Sequence, residues 1–119
     1  MDVNLIGCMA EIKIASALLE NGHQVSRPLA DNCVYDLIAE IDKRLVKIQV
    51  KGTTKKPNKY GVAVDLVRHR KYEKCDVDYY AVWVQHYDGF FFFKNNNQKA
   101  IRLNKDGKYK TKFNTFALR

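Results

Sequence analysis

Between residues 5 and 20 the apolar side chains Leu5, Cys8, Met9, Ile12, Ala15 and Leu19 return at three- and four-residue intervals, and Asn21-Gly22 follows as a stop. That spacing predicts an amphipathic helix. Residues 23–27 read as a short extended segment ended by Pro28, and Asp31-Asn32 marks a loop before a strand that begins near Val34. Two strands then flank Asp42-Lys43. Residues 52–61, GTTKKPNKYG, form an exposed basic loop, residues 61–66 offer another strand, and VRHRKYEKC is a short polar helix candidate. Residues 79–85 and 90–94 are strands joined through a turn containing Asp88-Gly89, and NNNQK is a loop. Weaker strand signals lie at residues 100–103 and 115–118. Neither a repeat nor a linker divides the chain, so residues 1–119 are expected to form one α/β domain, a sheet with a helix on one face.

The hairpin around Asp42-Lys43 fixes its own register. Turning there puts Asp36 opposite Gln49, with Lys51 on the same face two residues on, and gathers Tyr35, Leu37, Ala39, Ile41, Val46, Ile48 and Val50 on the other face. A slip by one residue would mix polar and apolar side chains on both faces. The turn itself is a poor guide, because a two-residue type I′ turn prefers Asn-Gly or Asp-Gly. One face thus collects an acid, an amide and a cation in a core-forming hairpin, where desolvation costs several kcal/mol unless partners are found. On the helix Glu11 likewise interrupts the apolar band and wants a cation. With Asp36 it could contribute to a divalent metal site. A structural ion pair between Asp36 and Lys51 is the plainer alternative.

Composition narrows the partner. The 119 residues are 46% hydrophobic and 12% aromatic, enough for one core, while the net charge of +8 and the basic pI favour a polyanion such as nucleic acid. Lys55, Lys56, Lys59, Arg68, His69, Arg70 and Lys71 are candidate phosphate contacts, although charge runs usually form a solvated face. The C-terminal segment 94–119 is basic against the single acid Asp106. That segment and the Tyr87-Asp88-Gly89 turn are candidate groove readers. Four consecutive phenylalanines, Phe90 to Phe93, suggest a buried strand or a subunit contact. Three cysteines, Cys8, Cys33 and Cys75, have no paired or metal-ligand spacing, and are expected to be small buried residues in a reducing, cytoplasmic protein. No apolar run is long enough to span a bilayer. His23, His69 and His86 are scattered, which disfavours zinc or histidine-based hydrolysis.

Gly7, Glu11, the NGHQVSRP turn, and Asp36-x12-Gln49-x-Lys51 together resemble the PD-(D/E)XK nuclease superfamily. More narrowly, residues 7–52 with the later DVDYYAVWV look like the bacterial group I intron homing endonucleases of that fold; the shorter stretch to Thr54 is similar to archaeal Holliday junction resolvases. The resemblance spans roughly residues 5–85. Tyr35 stands in place of the name-giving proline, and Gln49 stands where most members have Asp or Glu, which removes a negative ligand but leaves an amide oxygen able to meet Mg²⁺.

The resemblance implies a restriction-endonuclease-like core, a central mixed β-sheet flanked by helices. It also implies site-specific, Mg²⁺-dependent hydrolysis of double-stranded DNA, with Mn²⁺ able to substitute, by a bacterial or phage-encoded homodimer or homotetramer. Asp36, Gln49 and the Val50 carbonyl would hold the metal. Glu11 would orient the attacking water or bind metal itself, and Lys51 would position water and stabilise developing charge. A Holliday junction resolvase and a DNA-binding module that has lost catalysis are the alternatives.

Overall fold

The computed structural model describes residues 2–30, 33–66 and 76–118. One helix, α1 (Val3–Glu20), is followed by β1 (Gln24–Ser26), β2 (Leu37–Ile41), β3 (Arg44–Thr53), β4 (Val62–Asp65), β5 (Tyr79–Val84), β6 (Gly89–Lys94) and β7 (Ala100–Leu103). Five strands form a sheet in the order β1-β2-β3-β5-β6, in which β3 and β5 run parallel and the other neighbours antiparallel. This is the mixed sheet expected of a restriction-endonuclease-like fold. The remaining pair, β4 and β7, makes a separate antiparallel ribbon. Among the described residues α1 covers one face of the sheet and the ribbon covers part of the other.

Helix α1 starts where Asp2 accepts a hydrogen bond from the Asn4 N–H at 2.7 Å, relieving one of the orphan donors of the first turn. It stops at Asn21, whose N–H and side-chain amide both donate to the Ala17 carbonyl, and Gly22 then takes a left-handed φ of 84°. The extent of the helix matches its pattern; its buried face does so only in part, since Met9 and Ala15 of the expected stripe pack against the core and the rest of it does not. Ala10, Ile14 and Leu18 are fully buried, whereas Leu5, Ile12 and Leu19 are 61%, 64% and 60% exposed and Cys8 is exposed as well. The helix is apolar on two sides, and the side with the smaller residue at its centre wins. Gly52 on β3 has no side chain, so Ala10 can settle against the sheet: a Cβ at position 52 would lie 2.7 Å from that of Ala10.

The β2–β3 hairpin has the expected register, with Ile41 opposite Arg44 and Leu37 opposite Ile48. Leu37, Ala39, Ile41, Val46, Ile48 and Val50 are all buried beneath α1. Face segregation overrode turn chemistry, because Asp42 and Lys43 both sit at positive φ, 51° and 64°, as a type I′ turn requires. Replacing this pair by Asn-Gly is therefore expected to raise stability by about 1 kcal/mol. Urea midpoints with unchanged slope would show it, and an unchanged midpoint would speak against strain in the turn.

Strand β6 explains the phenylalanine run. Phe90 and Phe92 point into the helix-side core, Phe91 and Phe93 into the ribbon-side core, and all four are at most 5% exposed. A strand buried on both faces reads as continuous rather than alternating. Its outer edge is covered by the C-terminal segment: Phe113 bridges to Phe91, the Asn114 N–H donates to the Phe90 carbonyl at 2.8 Å, and the Asn114 side chain accepts from the Phe90 N–H. Residues 115–118 form no strand; Phe116 instead stacks on Phe90 with ring centroids 4.5 Å apart. Cys33, like Cys8, is exposed rather than buried. Cys75 and the VRHRKYEKC helix candidate lie outside the described residues. Among those described, no helix is long and apolar enough to cross a membrane.

Candidate active site

Where β2 begins, the backbone ladder gives way to a side chain. The Asp36 N–H donates to the Ile48 carbonyl at 2.8 Å, while its Oδ2 accepts from the Val50 N–H at 2.8 Å. The carboxylate thus takes the place of the next backbone carbonyl along the edge of β3, reaching past Gln49. Because a strand residue directs its N–H and C=O to the same side, the Val50 carbonyl faces this edge too.

Side chains along β3 alternate between the two faces of the sheet. Val46, Ile48 and Val50 point under α1; Gln49 and Lys51 project on the face shared with their parallel neighbours Tyr80 and Val82. Gln49 brings one orphan: its Oε1 is buried and lacks a hydrogen-bond partner among the described residues. An unpaired buried acceptor costs about 1–3 kcal/mol, so its retention needs a reason. It sits one residue along the strand from the N–H that holds Asp36.

Glu11 reaches the same edge from α1. Its carboxylate is 3.0 Å from the Arg27 guanidinium, whose side chain remains 74% exposed. Glu11, Arg27, Tyr35 and Asp36 line a small cavity of about 170 Å³, with Pro28 and Leu29 at its rim. Burial pushes the Asp36 carboxyl above the ordinary aspartate range; the Val50 N–H opposes this, the Glu11 carboxylate adds to it, and Lys51 and Arg27 pull it back down. Those influences place Glu11, Lys51 and Arg27 around one carboxyl group. Two acids, an orphaned amide oxygen and a backbone carbonyl beside a lysine suit a hard divalent cation, which takes oxygen ligands. Among the described residues no three His, Cys, Asp or Glu side chains form a metal-binding group, so a cation here draws on amide and carbonyl oxygens.

The PD-(D/E)XK endonuclease family model matches residues 1–117. The chain belongs to the PD-(D/E)XK endonuclease family. As an endonuclease it is an enzyme that hydrolyses phosphodiester bonds, and nucleases of its family work with divalent metal ions. Its fold superposes on the bacterial homing endonuclease I-Ssp6803I with a TM-score of 0.77 and 26% identity, over 91% of this chain and 82% of that one. A Holliday junction resolvase, Hjc of Archaeoglobus fulgidus, shares the fold at a TM-score of 0.56 and 15% identity, over 88% of both chains. No curated protein matches by sequence.

Of the expected site residues, Glu11 and Asp36 line one cavity, the Val50 N–H anchors Asp36 and Lys51 acts on its carboxyl group, with Gln49 between Val50 and Ile48 on the central strand β3. Lys55, Lys56 and Lys59 are exposed on the loop that leaves β3. Arg68, His69, Arg70 and Lys71 lie outside the described residues. Arg27 was not among the expected site residues. It belongs to the NGHQVSRP segment, and its signal was the cation that an inward-facing Glu11 demands.

Proposed function

We propose that this endonuclease is a Mg²⁺-dependent, site-specific enzyme that cuts double-stranded DNA in the manner of a homing endonuclease, with residues 1–119 acting as a single domain in the cytoplasm. The observation that carries the reading is the buried, unpartnered Gln49 Oε1 next to the strand position where the Asp36 carboxylate is anchored. The Gln49 oxygen gains nothing from its burial there without a cation.

Asp36, Gln49 Oε1 and the Val50 carbonyl would hold Mg²⁺, or Mn²⁺ in its place. When bound, the metal neutralises charge on the scissile phosphate and makes water a better nucleophile. Glu11, held back by Arg27, would orient the attacking water at the mouth of the cavity, and would ligate the metal itself once Arg27 turns to a phosphate. Lys51 would hold that water and stabilise the charge that develops on the phosphate oxygens as the P–O bond breaks. Lys55, Lys56 and Lys59, and by sequence Arg68, Arg70 and Lys71, would track the DNA backbone.

Cutting both strands calls for two active sites, so the working form is a homodimer or homotetramer. The exposed row of Leu5, Ile12 and Leu19 on α1 supports assembly, since it is apolar surface that water covers poorly.

The test is to sequence cut ends after incubation with Mg²⁺ and a pool of random linear duplexes containing a labelled four-way junction, with Asp36→Ala as the blank. Cuts confined to one sequence family, absent from the blank and from a chelator control, are expected. Preferential cutting of the junction would make the enzyme a resolvase. Binding without metal and without product would make it a DNA-binding module.

A further inference from the structure

The β4–β7 ribbon takes no part in the active site, and its two faces differ sharply. Val62, Val64, Ile101 and Leu103 pack on Tyr80, Val82 and Phe91. Outward, Ala63 stands opposite Arg102 and Asp65 opposite Ala100, and all four are exposed. Alanine is a poor strand former, and two of them on the solvent face of a two-stranded ribbon stabilise nothing. Their effect is to leave Arg102 as the tallest group on a flat face. Among the described residues no carboxylate lies within ion-pair distance of it.

The ribbon is also placed to meet a duplex held at the active site. A groove of about 360 Å³ runs from Lys51 and Gly52 on β3, past Lys55, to Ala63 and Asp65 on the ribbon. On the far side a second groove of about 500 Å³ is lined by Lys59, Arg102 and Lys108. Cations therefore flank the ribbon on both sides, while its centre is nearly bare. The major groove of B-DNA, about 12 Å wide, admits a two-stranded β-ribbon whose outward side chains meet base edges while flanking cations meet the phosphates.

We propose that the outward face of the β4–β7 ribbon is the sequence-reading element, inserted in the major groove, with Arg102 donating to O6 and N7 of a guanine. Ala63 and Ala100 let the backbone come close enough for that contact, and Asp65, nearer the active site, accepts from a cytosine amino group. This inference rests on the reading of the enzyme as a site-specific DNA endonuclease.

A binding selection tests it apart from catalysis. Full-length protein carrying Asp36→Asn, expected to hold duplex without cutting, is used to select from a pool of random linear duplexes in Mg²⁺, alone and combined with Arg102→Ala, Arg102→Gln or Ala63→Glu. Arg102→Ala is expected to erase the preference at one guanine and to weaken the best site by about 5- to 150-fold, with little change on unselected DNA. Arg102→Gln should move that preference toward adenine. Ala63→Glu should weaken binding comparably with an unchanged melting temperature, since position 63 is exposed. An unaltered motif with Arg102→Ala, or a loss uniform across all sequences, would overturn the proposal and leave Arg102 at most a phosphate contact. A parent protein without any sequence preference would overturn it too. That last result would remove site specificity from the proposed function as well, whereas the Arg102 results leave it standing; the nuclease activity itself stands or falls on Asp36-dependent cutting by the otherwise unaltered enzyme.

Discussion

Without divalent metal, Asp36→Asn should melt above the unaltered enzyme at neutral pH, yet cut DNA at less than about a thousandth of its rate. Both effects come from one carboxyl group. Its burial, reinforced by Glu11, raises its pKa, so the ionised form is penalised in the folded state more than in the unfolded chain. A raised folded-state value means that the stability this group contributes is fully present in acid and is lost as pH climbs through the folded-state pKa. Asparagine removes the charge while its amide oxygen can still accept from the Val50 N–H, the bond that anchors Asp36 at 2.8 Å. The gap in melting temperature between variant and parent should therefore be small in acid and widen toward neutrality. Mg²⁺ should reverse the order, because a ligand that binds only the folded state stabilises it by mass action and the variant has lost the central donor. Melting curves at acidic and neutral pH, with and without Mg²⁺, provide the check. A gap independent of pH would deny that Asp36 is held against its own burial.

Gly52→Val is the second large effect. A Cβ there would lie 2.7 Å from the Ala10 Cβ and 3.3 Å from the Ile6 carbonyl oxygen, the latter backbone that cannot step aside. Overpacking of this kind costs about 1–3 kcal/mol, and the helix must lift to relieve it. Glu11 follows Ala10 on that helix, so lifting α1 also withdraws the acid from Asp36. Cutting should fall further than the loss of folded protein explains, which separates this site from an ordinary core position. Ala10→Gly combined with Gly52→Ala offers the rescue: the pair should recover much of the activity that Gly52→Ala alone loses, a coupling expected of residues in contact. Additive losses would show that the approach of helix to strand does not set the position of Glu11.

The hairpin was legible because its two faces segregate so cleanly that only one register keeps them apart, and that register carried Asp36, Gln49 and Lys51 with it. The extent of α1 was legible from Asn21 and Gly22, which act locally. Which side of α1 is buried was not. Leu5, Cys8, Ile12 and Leu19 make as good a stripe as Ala10, Ile14 and Leu18, and the choice is made by the missing side chain of Gly52, a strand away. Pairing of β4 with β7 escaped for a similar reason, as nothing local announces a partner across so much intervening chain. Arg27 showed itself only as the cation that Glu11 required.

The covered edge of β6 has a consequence for how the enzyme can be dissected. Without Phe113 and Asn114 the strand GFFFFK would present an open row of N–H and C=O groups along a stretch of aromatic side chains, the kind of segment that recruits copies of itself into stacked fibrils. The C-terminal segment that covers this edge carries Lys105, Lys108, Lys110 and Lys112. Deleting the tail to remove its charge would therefore yield precipitate, and the effect of that charge on DNA binding has to be measured one lysine at a time.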